Sequence, residues 1–271
     1  MMLKKRVVSA VIGILLLILL IFYGSLIFTI TVSVLVFIGL KEYCKMIPFN
    51  IKSSRIVMYF SGFLLVINSY FAVNNFFNLP YGIILFVIAI LLYLDLLFNY
   101  DDKSFLKNLS CEFFGIIYIA GGMSFAVFLR DFPFAPFQNT FALWFVLIAT
   151  WITDSSAYFI GKNFGKKQLA PKISPNKTLA GGIGGVLFTA IFILLVGYFL
   201  NINSFYWVIY SFLMPAAAII GDLFESCLKR NLGVKDTGNI IPGHGGILDR
   251  FDSFIFTAPA TYYFLYFLLV V

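Results

Sequence analysis

Charge is scarce in this chain. Only 11% of its 271 residues are Asp, Glu, Lys or Arg, against a usual ~25%. That excludes a soluble globular enzyme and a charge-solvated disordered chain. Cysteine is scarce too. Cys44, Cys111 and Cys227 are few, odd in number and scattered, which excludes a secreted disulfide scaffold. There is a single histidine, His244. One His and three separated Cys cannot make a zinc site, so metal binding must rest on carboxylates. No hydrophilic stretch is long enough for a separate soluble domain, and no internal repeat stands out.

What is abundant is apolar surface. Hydrophobic residues make up 61%, with 34 Phe and 15 Tyr, and the mean hydropathy is +0.98. The solvent for most of this chain is lipid. A span needs roughly 20 mostly apolar residues. Windows of that size give nine candidates: Val7–Tyr23, Leu26–Leu40, Ile56–Val73, Tyr81–Phe98, Leu109–Leu129, Phe141–Ile160, Gly181–Leu200, Phe205–Leu228 and Phe254–Val271. The first two, meeting at Gly24-Ser25, suggest a tight helical hairpin. The first is longer than the ~7–15-residue core of a signal peptide and has no cleavage site after it, so it reads as a retained span.

The net charge of +7 comes from short basic runs between apolar stretches, and no basic–aromatic groove points to nucleic acid. With the N-terminus inside and nine crossings, inner loops hold eighteen of the nineteen Lys and Arg, and outer loops only Arg130. That asymmetry predicts an all-α, polytopic membrane protein with its N-terminus cytoplasmic and its C-terminus outside. One integral membrane domain over 1–271 is expected, with 1–130 mainly scaffold and 150–271 carrying the catalytic spans and cytoplasmic loops.

Acids in or at the ends of spans are functional candidates, because each costs on the order of 3 kcal/mol at mid-bilayer. Asp95 and Glu112 read as solitary hydrogen-bonded or snorkelling acids. Asp222, Glu225, Ser226 and Lys229 differ, since i, i+3, i+4 and i+7 share one helical face. They constitute either a structural ion-pair cluster or part of a site. They lead into a polar loop: Lys229-Arg230, Lys235-Asp236, Pro242-Gly243-His244-Gly245-Gly246, then Asp249-Arg250-Phe251-Asp252. Carboxylates suit Mg²⁺, cations suit phosphate, and glycines let backbone N–H groups approach an anion. Together they describe a metal–phosphate site at the inner interface. The preceding inner loop adds Asp154 and Tyr158, a basic run, and Ser174, Lys177 and Thr178 before Gly181-Gly182-Ile183-Gly184-Gly185. Those glycines serve either phosphate contact or close helix packing.

The C-terminal stretch Ser226 to Asp252, about 27 residues with fixed spacing, closely resembles the signature of phosphatidate cytidylyltransferases, also called CDP-diacylglycerol synthases. Asp154-Ser155-x-Ala157-Tyr158 and Ser174-Pro175-x-Lys177-Thr178 also look like that family. Ala180 departs from it, at a position that is usually acidic, and Asn176 stands where a basic residue is common. The resemblance implies that CTP and phosphatidate react to give CDP-diacylglycerol and pyrophosphate for phospholipid biosynthesis, with Mg²⁺ and room for a second ion. It implies Asp222 and Asp249 as metal ligands, with Glu225 as helper. Lys229, Arg230, Lys235 and Arg250 would bind phosphates, and His244 would steady the pyrophosphate. Ser174, Lys177 and Thr178 would form a second wall, with Asp154, Asp236 and Asp252 at the substrates. A homodimer and a bacterial inner-membrane location with a cytoplasmic site are further expectations. The alternatives are a CTP-dependent lipid-alcohol kinase and an ion-coupled transporter. Against the transporter, the polar residues gather at one interface and no inverted repeat is visible.

Overall fold

The structure, a computed structural model, describes residues 2–47, 54–76, 79–98, 105–134, 139–202, 204–240 and 245–270, with side chains described over the same spans apart from 2–10, 54 and 269–270. The elements are helices α1 (Met2–Tyr23), α2 (Ser25–Met46), α3 (Ser54–Val73), α4 (Tyr81–Phe98), α5 (Phe105–Gly115), a π-helical stretch Ile116–Gly121, and α6 (Gly122–Arg130). They continue with α7 (Phe141–Phe164), strands β1 (Gln168–Ala170) and β2 (Ser174–Thr178), α8 (Leu179–Phe199), α9 (Phe205–Asn231) and α10 (Leu248–Val270).

Each of the nine expected segments lies in helix. Among the described residues, seven helical stretches are long and apolar enough to cross a membrane: α2, α3, α4, the rod Phe105–Arg130, α7, α8 and α9. The protein is therefore an integral membrane protein. The seven do not include α10, which carries Asp249, Arg250 and Asp252 near its start, and the apolar part of α1 described is the shorter Val11–Tyr23. Nine crossings are accordingly not established.

The chain forms two compact units, one of residues 1–141 with 236–250 and the other of 142–235 with 251–271. In the first unit, α1 and α2 are separated by Gly24 alone, whose φ of 134° suits only glycine. The fifth expected span is α5, the π-helical stretch and α6 in succession. Tyr43 donates to the carbonyl of Cys111 at 2.9 Å, just before the widened turn. A Cβ on Gly115 would meet the Tyr43 ring at 2.5 Å, so glycine lets α2 come close there. Val36, Leu40, Met58, Leu65, Ile88, Leu92 and Ile119 form the buried core. Arg130, the one cation expected outside, is buried. It pairs with Asp131 and donates to the carbonyl of Ile21 at 3.1 Å.

In the second unit, α7 and α8 meet through glycines. A Cβ on Gly181 would lie 2.6 Å from the carbonyl of Ala157, and one on Gly185 would lie 3.1 Å from that of Thr153. Close packing therefore accounts for much of the glycine run. Hydroxyl pairs cross-link the helices: Thr150 with Thr257 at 3.2 Å, Thr153 with Thr189 at 2.8 Å, and Tyr210 with Thr261 at 2.7 Å. Trp207 donates to the carbonyl of Ile193 at 2.8 Å. The β1–β2 hairpin, antiparallel with Ala170 opposite Ser174, was not foreseen from the sequence. Its backbone bonds among themselves explain how so polar a loop holds a fixed course.

Candidate active site

The hairpin and three helices of the second unit, α7, α8 and α9, wall a cavity of about 580 Å³, lined by Asp154, Tyr158, Ser174, Lys177, Thr178 and Asp222 among others. Lys177 reaches it from β2. The Thr178 side chain ends that strand by capping α8, accepting from the Gly181 amide at 3.1 Å. Across the cavity, the Lys177 ammonium pairs with Asp222 of α9 at 2.5 Å, with the two side chains 26% and 33% exposed. One helical turn on, Lys229 donates to Glu225 at 3.1 Å. Thus only half of the predicted i to i+7 cluster pairs within its own helix, and Asp222 takes its partner from the hairpin.

A four-carboxylate group forms here. Asp252 feels the charges of Glu225, Asp222 and Asp154, and Asp154 faces Asp222 and Lys177. Glu225 is only 1% exposed. These acids supply hard oxygen donors, so the chemistry fits a divalent cation. Among the described residues no three His, Cys, Asp or Glu converge as a ready-made cage. Mg²⁺ commonly uses only one or two carboxylates and completes its shell with water and substrate phosphates.

The other predicted residues are placed less centrally. Arg230 donates to the carbonyls of Ile173 at 3.3 Å and Val234 at 3.5 Å, so it ties the hairpin turn to the end of α9. Lys235, Asp236 and Arg250 are exposed. His244, with Pro242 and Gly243, lies outside the described residues.

Asp249 belongs to the first unit. Its Oδ2 accepts from the Thr237 amide at 2.9 Å, the Thr237 hydroxyl at 3.0 Å and the Gly246 amide at 2.9 Å. Beside it is an acid that sequence reasoning passed over. Glu42, at the end of α2, is 2% exposed. It accepts from the amides of Ile247 and Leu248, each at 3.0 Å, and from the Thr237 hydroxyl at 3.2 Å. An acid flanked by Lys41 just past an apolar run looks like an ordinary interfacial residue, and Thr237 gives no signal of its own.

The model of the cytidylyltransferase family matches residues 4–268. A phosphatidate cytidylyltransferase of Bacillus subtilis is 35% identical, over 98% of this chain and 97% of its own. One from Staphylococcus saprophyticus is 33% identical, over 94% and 96%. One from Staphylococcus aureus is 47% identical over a shorter stretch, 42% of this chain and 45% of its own. Similarity that runs nearly end to end through helices and polar loops alike puts this chain in the cytidylyltransferase family.

Proposed function

We infer that this membrane protein transfers a cytidylyl group from CTP to phosphatidate, giving CDP-diacylglycerol and pyrophosphate. A phosphate oxygen of the lipid attacks the α-phosphorus of CTP. The new P–O bond forms as the bond to the β-phosphate bridge breaks, and pyrophosphate leaves. No protein nucleophile is required. Both reactants are anions, so the site must hold repelling groups in line.

The observation that carries this reading is the Lys177–Asp222 pair on the cavity wall, in a chain matched throughout by the family. Lys177 lines the cavity on a flexible stem, so its ammonium can exchange the Asp222 carboxylate for a phosphate oxygen. Ser174 and Thr178 supply hydroxyls on the same wall. Lys229 holds Glu225 and adds positive charge. Bound Mg²⁺ would neutralise phosphate charge, and Asp222 with Glu225 would hold it. The resemblance assigns Asp249 to it as well, and gives His244 the pyrophosphate and Lys235 and Arg250 the phosphates. The kinase and transporter alternatives are not favoured by the family match. The basic loops support a cytoplasmic site in a bacterial inner membrane. Homodimer formation stays an expectation from the family.

The test is transfer of label from α-labelled CTP into lipid by the purified protein. Label that requires phosphatidate and Mg²⁺, and is lost in Asp222→Asn, supports the reading. No transfer by the wild type, or transfer without phosphatidate, overturns it.

A further inference from the structure

We propose that Glu42 is a positioning residue for cytidylyl transfer, holding Thr237, Ile247 and Leu248 so that the Asp249 carboxylate is presented in one orientation. The proposal deepens the function given above and rests on it.

Burying an ionised carboxylate is unfavourable unless hydrogen bonds replace its water. Glu42 is almost fully buried, and three donors meet it. Ile247 donates to Oε1, and Leu248 and the Thr237 hydroxyl donate to Oε2. Leu248 opens α10, so these amides are the unsatisfied donors of a helix start, where negative charge is favoured. Space is reserved for the carboxylate by two glycines. A Cβ on Gly238 would lie 2.6 Å from Oε1, and one on Gly246 would lie 2.6 Å from Oε2.

The same donors continue to Asp249. Thr237 has one hydroxyl proton, and its oxygen lies 3.2 Å from Glu42 Oε2 and 3.0 Å from Asp249 Oδ2. The Thr237 and Gly246 amides both point at Oδ2. Gly246 is bonded directly to Ile247, which Glu42 grips. Glu42 thus fixes the donors that orient Asp249, without touching substrate itself.

The experiment compares full-length wild type with Glu42→Gln and Thr237→Val. A Gln amide nitrogen cannot accept, so one backbone amide loses its acceptor. The first readout is hydrogen exchange without metal or nucleotide. Peptides over 237–249 should exchange at least tenfold faster in Glu42→Gln, while those from α8 stay within twofold. The second is kinetic. The kcat should fall at least tenfold with KM for CTP within threefold, and the Mg²⁺ concentration for half-maximal rate should rise at least fivefold. A smaller active fraction cannot move that midpoint. Exchange or kcat within twofold of wild type, an unmoved Mg²⁺ midpoint, or faster exchange shared equally by α8 would overturn the proposal. Thr237→Val keeps both Glu42–amide bonds and should lose threefold to tenfold in kcat, and no loss would also overturn it. If Glu42→Gln does not reach the membrane, Thr237→Val supplies both readouts, with unchanged exchange at 237–249 as the overturning result. Failure of the wild type to transfer label would sink the assigned reaction, and the exchange measurement would still judge the grip of Glu42 on the loop.

Discussion

In the first unit Glu42 and Asp249 take their hydrogen bonds from backbone amides and a threonine hydroxyl, whereas in the second Asp222 and Glu225 take theirs from lysine ammonium groups. The difference is one of mobility. Backbone donors are fixed by the chain and carry no net charge to be drawn away, so they set orientation. A lysine on a flexible stem can leave one anion for another. Acids of the first kind are held still, and acids of the second kind are paired with groups that an incoming phosphate can recruit.

The strongest way to break this comparison is to neutralise one acid of each kind. Asp222→Asn and Asp249→Asn should each lower transfer by at least ~10²-fold. Only Asp249→Asn should speed hydrogen exchange at 237–249, because only there does the carboxylate organise the loop. Faster exchange in Asp222→Asn as well would erase the distinction. Next in size is a glycine pair. Gly246→Ala brings a Cβ against the Thr237 hydroxyl and the Glu42 carboxylate. It should cost about 1–3 kcal/mol as an overpacked site, seen in chemical or thermal unfolding in detergent. In Gly182→Ala the nearest atom is Leu169 Cδ2 at 3.6 Å, and the unfolding midpoint should stay put. Equal effects would mean that the first unit's loop is no more tightly specified than the second unit's glycine run.

Smaller is Thr178→Val, which removes the α8 cap. About 1 kcal/mol should be lost, a fall of ~2–4 °C in the thermal midpoint, with Thr178→Ser restoring it. An unshifted midpoint would show that the cap adds nothing. Smallest is Thr150→Val, which deletes one interhelical hydroxyl pair and should cost about 0.6 kcal/mol. A loss beyond ~2 kcal/mol would reveal a larger polar dependence than that single contact explains.

The spans were legible because apolar runs of bilayer length have few other uses, and Gly24 marked the first turn between helices. Glu225 with Lys229 was legible from the i, i+4 spacing. The pairing of Asp222 with Lys177 was not, since those residues are 45 apart and the hairpin that carries Lys177 is made by backbone pairing in a loop of turn-forming residues. Nor was Glu42, whose donors lie 195 to 206 residues later. Nothing in the signature loop announces that 236–250 packs with the first unit. Local spacing reveals what one helix does with itself, and long-range hydrogen bonds to backbone amides leave no mark in side-chain identity.

The threonines of the second unit bear on how the protein is made. Thr150, Thr153 and Thr261 each donate to a carbonyl four residues back in their own helix, at 2.8, 2.9 and 2.7 Å. Each hydroxyl proton therefore has an acceptor before any neighbouring helix arrives. Nascent segments can leave the translocon singly, with these groups already tolerable to lipid. The remaining lone pairs of Thr150 and Thr153 can wait for Thr257 and Thr189, the first of which is not synthesised until more than a hundred residues after Thr150.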